Sequence, residues 1–223
     1  MLVPDRMIFR LHASGPNSIG PDYAGPLTRS PDTSMSRKIL DVGCGKNKAV
    51  GAIGMDINPL IGADIIHDLG VFPYPFADDE FDEVIGLHVV EHVSDPMGFV
   101  QEVHRITKPG GTIRLVCPHY TNPDWASDLT HRNHISSYSF QYFQEDRQIF
   151  DFYTSARLLP KEVRLTLANL WRMLGLEFLV NLDNRWHGMR FIRKFWEYYW
   201  CYIIRGKDIY FTFEVTRSLL SVP

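Results

Sequence analysis

The pattern of apolar and polar positions divides the chain into short hydrophobic runs that end abruptly on glycine or on a carboxylate. Such bounded runs are typical of buried strands. The predicted strands are residues 37–42, 52–56, 63–69, 81–87 and 112–117. Apolar strands that alternate with crossover segments predict a parallel sheet in an α/β fold.

One helix is marked clearly, over about 95–107. Asp95 is a preferred N-cap residue, and Pro96 occupies the first helical position. Its apolar residues recur at helical spacing: Phe99, Val100, Val103 and Ile106. The segment KPGG (108–111) is expected to end the helix. The run at 208–215 is strand-like with no helix after it, which predicts an antiparallel edge strand as the last strand of the sheet.

The connections between the first three predicted strands are unusually short. Only KNKAVG separates the first strand from the second, and NPLIGA separates the second from the third. A crossover that contains a helix needs roughly a dozen residues or more. We therefore expect the first two crossover helices to be lost or reduced to single turns. The uncovered face of the sheet could be hidden by an N-terminal arm, by the C-terminal part or by a second subunit.

The first strand is followed by a glycine bend, and the next two strands end on carboxylates. Gly43 and Gly45 carry no side chain where the chain must turn sharply and where a ligand can approach the backbone. In a doubly wound sheet, ligands bind beyond the carboxyl ends of the strands. Asp56 is placed to accept hydrogen bonds from two ribose hydroxyls, and Asp68 could accept one from an adenine amino group. The arrangement predicts a nucleoside-binding site.

These pieces resemble the class I S-adenosylmethionine-dependent methyltransferases, most closely the small type 11 group. The resemblance covers roughly residues 37–117 well and the rest weakly. Its motifs, in the expected order, are LDVGCG, GMDI, HDL, FADDEFDEVIGLHVVEHVSDP and ITKPGGTIRLVCP. The family's usual third glycine would fall at Asn47, where this chain departs from the pattern.

The resemblance implies methyl transfer from S-adenosylmethionine, which goes beyond the bound nucleoside that spacing alone supports. It implies a donor site at the strand ends, formed by Asp41, Gly43, Gly45, Asp56, Ile57, Asp68, Leu69 and His88. A dinucleotide site would instead need G-x-G-x-x-G feeding a full helix, and position 48 is Lys48.

Candidate catalytic residues follow the fourth and fifth strands. The sulfonium methyl is already activated, so catalysis mainly needs alignment and, for a hydroxyl or amine acceptor, a base. His92 and an Asp128–His131 pair are the candidates, because the imidazole pKa suits a base. His92 could instead be a structural cap. His119, His131 and His134 could be read as metal ligands, but no cysteine pair or HExxH motif supports that, and we predict no metal.

Two segments, 119–183 and 185–207, are predicted to form the acceptor side of the site. A helix over the second would place its apolar residues in one stripe: Phe191, Ile192, Phe195, Trp196, Tyr199 and Ile203. One interpretation is a core helix that covers the sheet. The alternative is a platform at a membrane surface, or against a lipid-linked or glycan acceptor, because basic groups with Trp and Tyr are typical of such surfaces.

Composition and charge limit the partners and the location. The formal net charge is -3 and the pI about 6.3, so we expect no nucleic-acid partner. Three scattered cysteines fit a reduced, cytoplasmic protein better than a disulfide framework. No segment is long and apolar enough to span a bilayer, and the N-terminus lacks the apolar region of a secretory signal.

The predicted organisation is a disordered or draped N-terminal arm at 1–36 and a single Rossmann-like methyltransferase domain at 37–223. The arm is rich in Pro, Gly and Ser; it could also be a lid, or an extension before a natural start at Met35. The predicted activity is methyl transfer to an oxygen or nitrogen atom of a small-molecule or glycan-type acceptor. The alternative is a non-catalytic S-adenosylmethionine-binding module or partner subunit, and a homodimer is an open alternative to a monomer.

Overall fold

Seven strands form one mixed sheet in the computed structural model, which describes residues 37–144 and 152–217. The strands are β1 Ile39–Val42, β2 Ile53–Asp56, β3 Ile65–Ile66, β4 Phe81–Leu87, β5 Thr107–Pro118, β6 Arg157–Leu167 and β7 Gly206–Thr216. Their spatial order is β3-β2-β1-β4-β5-β7-β6. The predicted arm at 1–36 lies outside the described residues.

The first five strands are parallel, which confirms the predicted Rossmann-like sheet. β7 is antiparallel, as predicted, but its predicted position at the edge is wrong. It pairs with β5 on one side and with β6 on the other. The physical reason lies in β6, where Pro160 has no N–H to donate and Lys161 and Glu162 face solvent. These residues suit an outermost strand better than the buried apolar positions of β7 do.

The short crossovers are confirmed. Among the described residues, no helix lies between β1 and β2, and a single 3-10 turn at Pro59–Ile61 lies between β2 and β3. β3 is much shorter than the predicted run 63–69. Just before it, Asp64 accepts a hydrogen bond from Gly54 N at 2.6 Å and pairs with Lys48 Nζ at 2.7 Å. The Asp64 side chain thus bonds to the backbone of β2 next to β3, where β3 itself is only two residues long.

Four α-helices cover parts of the described sheet. They are α1 Pro96–Ile106, α2 Asn169–Met173, α3 Leu176–Val180 and α4 Arg190–Phe195. α1 begins as predicted, because Asp95 Oδ1 accepts a hydrogen bond from Gly98 N at 2.9 Å and Pro96 follows it. It buries Phe99 and Val103 against the sheet. β5 starts directly after α1, so the segment 108–111 lies within the strand and not in a separate turn.

The segment 185–207 differs from the predicted single amphipathic helix. α4 continues into a π-helical turn at Trp196–Trp200. Arg193, Trp196 and Glu197 are buried, whereas most of the predicted apolar stripe is exposed. The exposed members are Phe191, Phe195, Tyr199 and Ile203. The helix faces inward with its charged side because Arg193 and Glu197 both find buried partners there.

The buried partner of Arg193 is Asp183, with Nη2 and Oδ1 2.6 Å apart. The guanidinium also donates to the carbonyls of Val163 and Val180. Burial lowers the pKa of Arg193 and raises that of Asp183, and the guanidinium favours the charged form of the Asp183 carboxylate. This pair joins α4 to β6 and to the end of α3.

Replacing Arg193 with alanine should therefore destabilise the fold by about 3 kcal/mol, because it leaves the Asp183 carboxylate buried without its partner. Chemical unfolding monitored by far-ultraviolet circular dichroism would measure the loss. The neighbouring exposed Lys194 is the matched control, and Lys194→Ala should change the free energy of unfolding by no more than about 0.5 kcal/mol. Equal effects of the two substitutions would contradict the structural role of the pair.

All three cysteines are buried, and none of them forms a disulfide: Cys44, Cys117 and Cys201. Burial raises the pKa of the Cys117 thiol well above its usual value. Within the described residues, every helix is too short or too polar to cross a lipid bilayer.

Candidate functional site

A cleft lies beyond the carboxyl ends of β1, β2 and β4. Its lining residues are Gly43, Asp56, Ile57, Leu69, His88, Val89 and His92. Six of these seven are among the predicted site residues, and the structure brings them together at one edge of the sheet. Val89 is the member that sequence analysis missed.

The glycine bend after β1 is tightly packed against Val89. Gly43 and Gly45 both adopt positive φ, at 63° and 54°. A Cβ atom on Gly43 would lie 2.6 Å from Cγ2 of Val89, closer than real atoms pack. Val89 thus presses against the bend and makes glycine necessary at position 43.

Asp56 closes the bend onto β2. Its carboxylate is largely buried and accepts hydrogen bonds from Gly45 N at 3.0 Å through Oδ2 and from Asn58 N at 2.9 Å through Oδ1. Each oxygen retains a second lone pair. The carboxylate is therefore held rigidly in the cleft wall with capacity to accept further hydrogen bonds.

Three of the predicted donor-site residues lie outside the lining of the cleft. Asp41 is fully buried, and its Oδ2 accepts a hydrogen bond from Ala49 N at 2.9 Å, which braces the loop that follows the bend. Gly45 contributes through its bond to Asp56. Asp68 accepts from Gly70 N at 2.8 Å, while the adjacent Leu69 lines the cleft.

His88 and Glu91 lie in a turn, not in the helix that would place His88 and His92 on one face. His88 has a positive φ of 52°, which is uncommon for a residue other than glycine and costs energy. Its Nδ1 lies 3.3 Å from Oε1 of Glu91, whose side chain is fully buried. Among the described residues, neither Glu91 carboxylate oxygen accepts a hydrogen bond. A buried carboxyl group therefore lies behind the cleft.

His92 is oriented by a short hydrogen-bonded chain. The Thr130 hydroxyl donates to Asp128 Oδ1 at 2.6 Å, so its oxygen accepts from His92 Nδ1 at 2.9 Å. This assigns the proton of the neutral ring to Nδ1 and leaves Nε2 as an acceptor. Burial lowers the pKa of His92 below its usual value of 6.5. Burial alone would raise the pKa of Asp128, but its hydrogen bonds from Thr130 lower it.

His131 packs beside His92, with ring centroids 4.6 Å apart. Its Nδ1 lies 2.8 Å from the Trp125 carbonyl oxygen, and its Nε2 lies 3.9 Å from Asp128 Oδ2. The predicted Asp128–His131 pair is thus loose, and Asp128 acts more directly on His92 through Thr130. Sequence analysis did not single out Thr130; its position two residues after Asp128, before His131, was the available signal.

Glu91, His92 and His131 each offer one atom able to bind a metal, and these atoms lie within 4.8 Å of one another. The set differs from the His119, His131 and His134 combination considered from sequence. The absence of a metal remains a prediction.

The other two histidines of this segment have separate surroundings. His119 is fully buried, with Nδ1 2.7 Å from Thr121 Oγ1 and Nε2 3.0 Å from Glu197 Oε1. His134 is exposed and packs on the Trp125 ring at 4.0 Å between centroids. His119 therefore joins the loop after β5 to the π-helical turn and lies outside the cleft lining.

Residues 40–115 match the protein-family model described as "Methyltransferase domain". This segment contains β2, β3, β4 and α1 and all the residues that line the cleft. The predicted resemblance is thereby confirmed for this part of the chain, and with it S-adenosylmethionine as the cofactor that the domain implies.

Several curated proteins match part of the chain. An uncharacterised methyltransferase of Mycobacterium tuberculosis is 32% identical over 107 residues, which is 40% of this chain and 42% of that protein. A ubiquinone biosynthesis O-methyltransferase of Pseudomonas syringae is 34% identical over 99 residues, 34% of this chain and 42% of that protein. The ajmaline N-methyltransferase of Rauvolfia serpentina is 28% identical over 103 residues, covering 36% and 35%. The matches thus span less than half of these relatives.

Solved structures with a similar shape include a methyltransferase in complex with the Trm112 activator of Haloferax volcanii. Its TM-score is 0.49 at 17% identity, with 83% of this chain and 85% of that chain covered. An S-adenosylmethionine-dependent methyltransferase of Archaeoglobus fulgidus has a TM-score of 0.49 at 17% identity, covering 80% and 86%. The fold assignment rests on the strand order described above.

Proposed function

We propose that this protein transfers the methyl group of S-adenosylmethionine to an oxygen or nitrogen atom of a small-molecule or glycan-type acceptor. The proposal starts from the match of residues 40–115 to a methyltransferase domain. One observation carries the proposal. Within this domain, the same cleft is lined by a rigidly held carboxylate, Asp56, and by an imidazole, His92, whose Nδ1 holds the ring proton so that Nε2 is the proton acceptor.

The residues of the cleft fit the donor. Gly43 contributes backbone without a side chain to the lining of the cleft at the end of β1. Asp56 has lone pairs to accept from ribose hydroxyls, and Ile57 and Leu69 offer apolar walls for a base. The donor supplies an activated methyl group on a positively charged sulfur. Asp128, whose pKa is lowered by its hydrogen bonds from Thr130, places negative charge on the His92 side of the cleft, which favours a cation.

His92 is the proposed general base. The chain from Asp128 through Thr130 keeps the Nδ1 proton in place, so an acceptor hydroxyl or amine would lose its proton to Nε2. The lowered pKa keeps the ring neutral, and therefore basic, at neutral pH. Once protonated, the imidazolium would be stabilised by the nearby carboxylates of Glu91 and Asp128, which raise the pKa of His92 against the effect of burial.

Both acceptor atoms remain in the proposal because the partial relatives include enzymes named for O-methylation and for N-methylation. The segments 119–183 and 185–207, predicted to form the acceptor side, lie beyond the matched segment 40–115. A cytoplasmic location and a homodimer are likewise proposals.

The decisive experiment is incubation of the purified chain with methyl-labelled S-adenosylmethionine and fractionated small-molecule and glycan extracts. We expect label in an acceptor that survives protein removal, with formation of an equal amount of S-adenosylhomocysteine. Calorimetric titration with S-adenosylhomocysteine, with NAD as the matched control, tests the donor site separately. Tight binding without transfer to any fraction would favour a non-catalytic binding module, and preferential NAD binding would overturn the assignment.

A further inference from the structure

An extended apolar surface lies on the outer side of α4 and the residues that follow it. The aromatic face, as we define it, comprises Phe191, Phe195, Tyr198, Tyr199, Tyr202 and Ile203, each more than half exposed. The ring centroids of Phe195 and Tyr199 lie 5.1 Å apart, and those of Tyr198 and Tyr199 lie 6.4 Å apart. Monomeric proteins rarely expose so many large apolar side chains in one place, and such patches mark interaction sites.

The exposure is fixed by what lies on the other side of the helix. Arg193 and Trp196 are buried one turn apart, and Glu197 hydrogen-bonds to His119 and to Ser137 Oγ at 2.8 Å. Rotating the aromatic face inward would expel these groups from their partners. The helix therefore cannot act as the core helix that its composition suggests.

The exposed charged residues of the stretch that contains the face have one sign. Six basic residues of the stretch 169–207 are exposed: Arg172, Arg185, Arg190, Lys194, Arg205 and Lys207. The stretch also contains three acidic residues, and none of them is exposed. Glu177 accepts from Leu167 N, Asp183 pairs with Arg193, and Glu197 is buried. The surface is locally cationic although the whole chain carries a net charge of -3.

We propose that the aromatic face docks onto an anionic lipid surface. Amphipathic helices that lie in the membrane interface combine bulky apolar residues, Trp and Tyr with basic side chains at the rim. The exposed residues here show that combination, and Lys194 Nζ lies over the Tyr198 ring at 5.8 Å, with a cation at the edge of the apolar surface. A second subunit with the same face would bring like charges together. The inference does not depend on the proposed methyl transfer.

The test is flotation of the full chain with vesicles of phosphatidylcholine, with and without phosphatidylglycerol. The chain should float with the anionic vesicles, remain mostly free with the neutral ones, and dissociate as salt is raised. Arg190→Gln combined with Lys194→Gln should lower the partition coefficient about 30-fold. Phe195→Ser combined with Tyr199→Ser should abolish flotation.

Leu60→Ser is the matched control, because Leu60 is 87% exposed and lies near β2 and β3, at the opposite end of the sheet. This variant should float like the unaltered chain, and all variants should keep their thermal unfolding midpoint. Failure to float with anionic vesicles would overturn the proposal. So would a dimer, detected by sedimentation velocity, that the Phe195 and Tyr199 substitutions dissociate, since the face would then be a subunit interface.

Discussion

Replacing Asp56 with alanine is expected to weaken S-adenosylhomocysteine binding by about 100-fold or more. Two hydrogen bonds to a charged acceptor contribute about 1.5 to 3 kcal/mol each, and both would be lost. The substitution also frees Gly45 N and Asn58 N, which the carboxylate now holds at 3.0 and 2.9 Å. The bend would lose its link to β2 as well as its ligand acceptor. Isothermal titration calorimetry measures the change directly.

Asp78→Ala is the matched control for the Asp56 substitution. Its side chain is 74% exposed and paired with Arg105, away from the lining of the cleft. Donor affinity in this variant should equal that of the unaltered chain. If Asp56→Ala binds as tightly as the control while remaining folded by circular dichroism, Asp56 does not contact the donor and the proposed site is wrong.

His92→Asn is expected to lower the rate of methyl transfer by about 10²- to 10⁴-fold, which is the usual contribution of a general base. Asparagine retains a polar side chain of similar reach but cannot take up the acceptor's proton. The affinity for S-adenosylhomocysteine should change far less, because Asp56 and the glycine bend remain. Single-turnover rates together with calorimetry would separate the two effects.

The pH profile provides a readout that a purely structural role of His92 would not give. Because burial lowers the pKa of His92 from 6.5, the ring is neutral at pH 7. The rate should therefore be full at neutral pH and fall as the pH drops below 6.5 and through the folded-state pKa. In His92→Asn the remaining slow reaction should lack this acidic limb. Glu91, Asp128 and His131 face the ring, and their charges set how far below 6.5 the limb lies.

His134→Asn is the control for the catalytic experiment, since His134 is exposed and lies outside the chain formed by Asp128, Thr130 and His92. It should retain the acidic limb of the profile. If His92→Asn transfers methyl groups at the full rate and His131→Asn does not, the general base is His131 and not His92.

The parallel half of the fold could be predicted from sequence because its signals are local. Each strand there is a short apolar run with a marked end, and α1 carries its own N-cap in Asp95. The missing crossover helices followed from counting residues between runs. The strand ends therefore placed Gly43, Asp56 and His88 correctly around one cleft without knowledge of any distant contact.

The remainder could not be predicted because it depends on partners far away in sequence. Helical periodicity favoured burying Phe195 and Tyr199, and only the contacts of Arg193 with Asp183 and of Glu197 with His119 reverse that choice. No local sequence pattern predicts that the charged side of a helix will be buried against partners distant in sequence. Tertiary contacts decided the orientation of this helix against its apolar stripe.

The hydrogen-bonded chain from Asp128 to His92 could not be predicted from the sequence for the same reason. Spacing alone paired Asp128 with His131, three residues apart, because the two are neighbours along the chain. The structure instead brings His92 beside Thr130, 38 residues away, through a hydrogen bond of 2.9 Å. Such a relay depends on how the loop after β5 folds over the end of β4, which sequence periodicity does not report.

The position of β7 between β5 and β6 has a consequence for synthesis on the ribosome. β5 can acquire its antiparallel neighbour only after residues up to Thr216 have emerged, about a hundred residues after β5 itself. Until then, β5 and β6 both present unpaired backbone groups, which are prone to pair with other nascent chains. A polypeptide terminated just before Gly206 should therefore accumulate in inclusion bodies, although it retains every residue of the cleft.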